Sequence, residues 1–290
     1  MINSIGEILL QNGNPLLKMW SIHIDTRIRP FINHSHTRFE ITVVDSGSGE
    51  YTTENAVYPM EPGDVFIFSS SEVHCITKTG KDGLSITNLH FEPRYLSEAF
   101  SENSSDSYID FCFSHSTQFS NRIPAKKAEI LRNHHRIIKE EFLNKNDRFS
   151  LAVRAHLHLI LIDLLRNHNY SAPTDIHKVN FDIISVYDYI EQHLSDKLTL
   201  NSIASIAGLS PNYFSNIFKK LNSISLWDYI TARRIEKATR LICSKKQNLS
   251  MLDIALQCGF NNTVNFNKAF KKHRGITPSE LRKNPKLLLH

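Results

Sequence analysis

Two different hydrophobic periods divide the chain. Between residues 20 and 95 the apolar residues come in short β-branched and aromatic runs: Ile41-Thr42-Val43-Val44, Gly49-Glu50-Tyr51-Thr52-Thr53 and Asp64-Val65-Phe66-Ile67-Phe68. Turn-forming clusters bound them at Asp45-Ser46-Gly47-Ser48-Gly49, Glu61-Pro62-Gly63-Asp64 and Gly80-Lys81-Asp82-Gly83. Short strands with close turn signals predict a small sandwich or barrel. From Pro124 the spacing changes to three and four. Residues 125–144 and 149–168 read as two helices, the second with Leu151, Ala155, His158, Leu159, Ile162 and Leu165 at helical spacing. Asn169-Tyr170-Ser171-Ala172-Pro173-Thr174-Asp175 breaks that pattern and reads as a linker. Everything after residue 178 reads as short helices.

The last third repeats itself. One copy is Ile203-Ala204, Gly208-Leu209, Phe214, Phe218-Lys219-Lys220 and Ile224-Ser225; the other is Ile254-Ala255, Gly259-Phe260, Phe266, Phe270-Lys271-Lys272 and Ile276-Thr277. In each, a short helix (201–207 or 252–258) puts an Ala on its packing face, where a larger residue would hold the next helix away. A glycine able to adopt positive φ then ends that helix. A second helix (211–221 or 262–273) buries Phe214, Ile217 and Phe218, or Phe266, Ala269 and Phe270, leaving its other face polar. That is the mechanics of a helix-turn-helix, whose second helix fits the major groove. Between the copies an amphipathic helix, 226–243, can pack Tyr229, Ile230, Ile235, Ala238 and Leu241 against both. A plain helical bundle with glycine turns is the alternative; two copies joined by an Arg-rich helix argue against it.

Charge sharpens this division. Residues 1–177 carry 17 Lys/Arg and 21 Asp/Glu, whereas residues 178–290 carry 17 and 8, a local net of +9. A basic final third on a slightly acidic body suggests a nucleic-acid-binding module fused to something else. With 290 residues the chain suits two domains. No run of 18 apolar residues is present, so no membrane helix is expected, and the N-terminus lacks the pattern of a secretory signal. Cys75, Cys112, Cys243 and Cys258 have no CxxC spacing and read as reduced thiols of a cytoplasmic protein.

Residues 180–283 resemble the DNA-binding domain of the AraC/XylS family of bacterial transcription regulators. The resemblance rests on Ser210-Pro211-Asn212-Tyr213-Phe214 and Arg233-Arg234-Ile235 around the first copy, and on Gly275-Ile276-Thr277-Pro278 and Leu281-Arg282 after the second. It implies that both second helices read successive major-groove segments of double-stranded DNA. By position, the base-facing residues would be Asn212, Ser215 and Asn216 in the first, and Thr263, Val264, Asn267 and Lys268 in the second. Asn suits adenine, Lys reaches guanine, and Val can only pack, for example on a thymine methyl. Lys219, Lys220, Lys271, Lys272 and Arg274 would contact phosphates. Ser223 departs from the family's glycine, and Asn222 is expected to supply the left-handed turn there.

A second motif lies near the N-terminus. His34-Ser35-His36-Thr37-Arg38-Phe39-Glu40, then Gly47, fits the first cupin motif, and His74 falls where a third histidine would stand. Period 2 puts His34, His36 and Glu40 on one strand face, with Phe39 on the other, so Phe66 or Phe68 is expected to wall the pocket. The leading glycine is missing (Ile28), and Ser69 and Ser71 replace the Pro-x-Gly before His74. Three readings stay open: an effector pocket suited to sugar hydroxyls, a divalent-metal site, or structural histidines. His134-His135 and His156/His158 have no metal-ligand i,i+4 pair and read as surface or interface. No G-x-S-x-G or GxxxxGK[ST] motif supports an enzyme.

The combined expectation is an α+β multidomain protein. Residues 1–123 form a cupin-like β-barrel domain that senses an effector, a sugar, through His34, His36, Glu40 and His74, without metal or other cofactor. Residues 124–168 are the helical segment of a homodimer, 169–178 a linker, and 179–290 an all-α domain with two helix-turn-helix units. The resemblance implies a cytoplasmic regulator that, as an activator, would contact RNA polymerase. The alternative is a metal-dependent cupin enzyme with an accessory DNA-binding domain.

Overall fold

The computed structural model describes residues 2–9, 15–25, 38–69, 72–92, 95–96, 115–116, 118–171, 183–222, 224–244 and 249–284. The chain divides into two compact units, with the change at residues 177–178.

The first unit is built on one antiparallel sheet. Its strands are β1 (Ile2–Leu9), β2 (Pro15–Ile24), β3 (Phe39–Thr53), β4 (Val57–Met60), β5 (Val65–Phe68), β6 (His74–Phe91) and β7 (Arg122–Ile123), in the order β1-β2-β6-β3-β5-β7 with β4 beside β3. Strands β1 and β7, and the first half of β2, lie outside the 20–95 stretch expected to be β structure. Asp45–Gly49 and Gly80–Gly83 are not chain reversals: both lie inside long strands, β3 and β6. The β3–β6 register slips between Val44 and Ser46, Gly47 and Gly49, and Glu50 and Tyr51. Such bulges absorb turn-forming residues and bend the strands. At the bend Gly47 has φ +82°, and a Cβ there would lie 2.1 Å from the Gly83 carbonyl oxygen. The bent sheet curls over itself as a cupin-like barrel.

Alternation then sorts the side chains. Leu17, Met19, Ile41, Val43, Val65, Ile67, Leu89 and Phe91 face outward and form one core with the helices α1 (Glu129–Asn144) and α2 (Phe149–Asn167). Ile22, Ile24, Val44, Tyr51, Met60, Phe66, Phe68, Ile76, Leu84 and Ile86 fill the barrel. Helix α1 starts four residues later than periodicity suggested. The Ala125 N–H donates to Asp64 Oδ1 (3.0 Å) and Arg132 holds the carbonyls of Gly63 and Ala125, which fixes a turn there. Tyr170, expected in the linker, is a core residue against Phe39 and Phe119. His134 and His156 meet across α1 and α2, with Nδ1 atoms 2.9 Å apart, and His135 is buried.

The second unit is all α: α3 (Ile183–Gln192), α4 (Leu200–Ile206), α5 (Pro211–Asn222), α6 (Leu226–Cys243), α7 (Met251–Gln257), α8 (Thr263–Arg274) and α9 (Pro278–Lys283). Side-chain caps set most of its helix starts. Thr199 with Ser202, Ser250 with Asp253 and Thr277 with Glu280 form reciprocal boxes, and Ser225 and Asn262 cap α6 and α8. Ala204 and Ala255 are fully buried, as the repeat requires. Asn222 does not take the left-handed conformation expected of it. It is the last residue of α5, fully buried, donating to the Phe218 carbonyl and accepting from the Tyr187 hydroxyl. Those two bonds hold its side chain inside the unit.

Candidate nucleic-acid interface and effector pocket

The helix-turn-helix geometry comes from short, capped first helices ended by glycine. Gly208 has φ +65° and Gly259 φ +81°, and the chain then enters α5 or α8. Phe214, Phe218, Phe266 and Phe270 are fully buried. The opposite faces are therefore presented to solvent. Asn212, Asn216, Lys219 and Lys220 are exposed on α5, with Ser215 half-buried; on α8, Val264, Asn267, Lys268, Lys271 and Lys272 are exposed and Thr263 half-buried. Val264 leaves 59% of its surface open, unusual for a β-branched residue on a polar face. Lys272 also lies 3.6 Å from Asp228.

Two arginines of α6 face the interior of the bundle. Arg233 is 2% exposed; its Nε donates to Glu191 Oε1 at 2.5 Å and its Nη1 to Glu236 Oε2 at 2.8 Å. Arg234 donates to the carbonyls of Leu194 and Asp196. Both are internal ties of the bundle.

In the first unit, strand register lines up polar side chains on the inner face. One row across β2, β6, β3 and β5 is Lys18, His90, Glu40 and Phe68; the next is Trp20, Asn88, Thr42 and Phe66. The third, Ile22, Ile86 and Val44, is apolar. Two polar rows thus stand at one end of an apolar barrel. Glu40 is 2% exposed, with Oε2 3.1 Å from His74 Nε2 and 2.7 Å from His90 Nε2. Tyr51 donates to Glu40 Oε1 (3.4 Å). Thr42 Oγ1 lies 2.6 Å from Glu40 Oε1 and 2.8 Å from Asn88 Oδ1. With one proton, that hydroxyl serves one of the two acceptors at a time.

His74 stacks on Phe68 (4.0 Å between centroids), and its Nδ1 is 2.9 Å from the Glu72 carbonyl. Both its nitrogens face acceptors, which favours the imidazolium. Burial pulls its pKa down, but the charge and hydrogen bond of Glu40 outweigh this and leave it raised. Burial and then Glu40 push Tyr51 well up, keeping it a neutral donor. Burial lowers Lys18, partly offset by Glu7. Trp20 packs edge-on against His90 at 4.4 Å.

The structure thus brings together Glu40 and His74; His34 and His36 lie outside the described residues. Phe66 and Phe68 share the face of Glu40, and Phe39 lies on the other. Lys18, Trp20, Asn88 and His90 were not found by sequence reasoning. The one available signal was His90, a polar residue between Leu89 and Phe91 in an alternating run. Among the described residues no three His, Cys, Asp or Glu are arranged to hold a metal ion. His74 and His90 each bring a ring nitrogen to Oε2 of Glu40.

A family model for the AraC-like ligand binding domain matches residues 25–161, and a helix-turn-helix domain model matches residues 203–284. The chain belongs to the AraC/XylS family. Its relatives include the uncharacterized HTH-type transcriptional regulator YbfI of Bacillus subtilis strain 168, 26% identical over 81% of each chain. Another is the probable transcriptional regulator LumQ of Photobacterium leiognathi, 24% identical over 91% of this chain and 96% of that one. In fold, the chain is similar to ToxT from Vibrio cholerae, with TM-score 0.62, 12% identity, and coverage of 92% of this chain and 98% of ToxT. ToxT has also been solved with an unsaturated fatty acid bound. This AraC-family chain is a DNA-binding transcription regulator with a ligand-binding domain. Among the described residues no helix is long and apolar enough to cross a membrane.

Proposed function

We propose that this regulator is controlled by a small uncharged polyol, a sugar, bound among the two polar rows of the barrel. The carrying observation is a single hydroxyl, that of Thr42, shared between two acceptors. Glu40 and Asn88 Oδ1 compete for the single proton of Thr42. A ligand hydroxyl brings a second proton, so that Thr42 can donate to one acceptor and the ligand to the other, which favours binding. Trp20 and Phe66 supply the apolar and aromatic surface a sugar ring packs on. Glu40 and His74 of the expected set line this site, with His90 and Lys18 beside them. A fatty acid, as in ToxT, would bring further acceptors and a negative charge beside Glu40. The metal-dependent enzyme reading has no arrangement of described residues in its favour.

Residues 1–123 are the sensing part in this reading, 124–168 the dimerisation segment, 169–178 the connection and 179–290 the DNA reader. Leu151, Ala155 and Leu159 are exposed along α2 at four-residue spacing, an apolar stripe for a second copy. In DNA reading, Asn212, Ser215, Asn216, Thr263, Val264, Asn267 and Lys268 face bases, and Lys219, Lys220, Lys271 and Lys272 face phosphates. Ligand state would alter placement of the paired readers, and an activator would then engage RNA polymerase.

The test is a calorimetric screen of neutral sugars on the full chain. A sugar that binds wild type should bind Glu40→Gln and Asn88→Ala more weakly by about tenfold, the equivalent of one to two hydrogen bonds. If fatty acids bind and no sugar does, the polyol reading fails.

A further inference from the structure

The outer face of the same strands carries a second cleft, of about 460 Å³, where the first half of α1 passes over β3 and β6. This volume suits a small ligand. Val43, Thr87 and His135 line its floor. Val43 and Thr87 are register partners pointing away from the barrel, so the cleft and the proposed sugar site lie on opposite faces of β3.

His135 is 4% exposed, and its Nε2 has no hydrogen-bond partner. A buried imidazole nitrogen without a partner is costly, and a ligand polar group would relieve it. Burial, helped by Lys139, lowers its pKa to about 3, so the ring is neutral and Nε2 can donate or accept according to tautomer. Helical spacing sets Arg132, Arg136 and Lys139 along one wall. Arg132 is occupied by the carbonyls of Gly63 and Ala125. Among the described residues Arg136 is held by an exposed pair with Glu140 and by Asn133, contacts a ligand can displace. Lys139 has no carboxylate within ion-pair distance among the described residues. Asp45 and Glu129 also line the cleft and supply acceptors; Asp45 already accepts from Thr87 at 2.6 Å.

These groups ask for a ligand with two properties. Lys139 and Arg136 call for an anionic group, since a cation would meet three basic side chains. Asp45 and Glu129 would repel a bare anion but accept from hydroxyls. We propose that this cleft is a second ligand site, for a small hydroxylated anion whose phosphate or carboxylate is held by Lys139 and Arg136 and whose hydroxyls face Asp45, Glu129 and His135. The carboxylate and phosphate forms share this chemistry. Occupancy bridges α1 and the sheet, and so pins the helix that precedes α2.

Calorimetry on the full chain with glycerol phosphate, gluconate and inorganic phosphate tests this. Glycerol phosphate or gluconate should bind, with inorganic phosphate weaker and glucose unable to compete. Lys139→Ala and Arg136→Ala, both away from the core, should each weaken binding about tenfold, and Glu40→Gln should leave it unchanged. His135→Gln should weaken it also; should that variant fail to fold, the Lys139 and Arg136 variants still decide. Binding unaffected by Lys139→Ala, binding lost in Glu40→Gln, or no binding by the three anions overturns the site. Equal affinity for inorganic phosphate overturns the hydroxylated part of the assignment.

Discussion

Replacing Arg233 by Met should nearly unfold the DNA-binding unit. Met keeps the aliphatic packing of the stem and removes the guanidinium. Two carboxylates, Glu191 and Glu236, with side chains 3% and 7% exposed, then lose the cation they share. Each charge-assisted hydrogen bond contributes about 1.5–3 kcal/mol, and breaking a buried ion pair costs about 3–5 kcal/mol. A loss of about 4 kcal/mol is a large part of the 5–15 kcal/mol typical of a domain. With a urea slope of about 2 kcal/mol per molar, the unfolding midpoint should fall by about 2 M. Trp227, on the first turn of α6, reports on this unit once Trp20 is replaced by Phe. The triple variant Arg233→Met, Glu191→Leu, Glu236→Leu should recover most of the loss, because no buried charge remains. A single-variant loss below about 1 kcal/mol, or a triple variant as unstable as the single, would refute the argument that charge is what Arg233 supplies.

Three further outcomes follow from the geometry. Gly259→Ala should cost far more than Gly208→Ala in thermal unfolding: both strain a positive φ by about 1–2 kcal/mol, but only at Gly259 would a Cβ meet backbone, 2.3 Å from the Leu194 oxygen. His135 is held neutral in the fold and takes a proton near pH 6.5 when unfolded, so its contribution weakens stability as pH falls below 6.5 and continues to do so toward pH 3. Between pH 7 and 5 this amounts to about 2 kcal/mol. His74 and His115 are raised and act oppositely, stabilising below pH 6.5 and losing that as pH rises; the difference between wild type and His135→Gln isolates the first effect, and identical slopes would contradict it. In DNA binding, Asn216→Ala or Lys268→Ala should cost about 1–3 kcal/mol on the operator and little on random sequence, whereas Lys219→Ala should weaken both and lower the salt slope; equal losses on both DNAs for all three would reject the base assignments.

The helical third was legible because its information is local. Caps, glycine stops and the three-and-four spacing of Phe214, Ile217 and Phe218 sit within one or two turns of each other. The sheet was less so. Asp45–Gly49 carries the composition of a turn, and only the partner strand makes it a bulge. Helix α1 begins late because Asp64, distant in sequence, holds Ala125. In the pocket, Glu40 and His74 came from a motif, but Lys18, Trp20, Asn88 and His90 join it through register, which single-strand patterns do not encode. The α6 arginines were legible only as part of a resemblance; of what they hold, Glu236 is near, but Glu191 and two carbonyls lie far from them in sequence.

Those carbonyls belong to the loop after α3, and the same loop reaches further. Ser195 Oγ donates to the Gln257 carbonyl at the end of α7 and accepts from Lys237 on α6, each at 2.7 Å, while Gly259 lies against the Leu194 oxygen. The loop leads directly into α4 of the first reader. One short segment therefore clamps the two readers to a common strut, and the unit behaves as a ruler of fixed length and phase. DNA advances about 3.4 Å and turns about 34° per base pair. If the two second helices read successive grooves as proposed, a spacer altered by a single pair would present the second groove at the wrong angle to readers held in this arrangement. If both second helices read bases as proposed, operator spacing would depend on a serine hydroxyl and a glycine as much as on those helices.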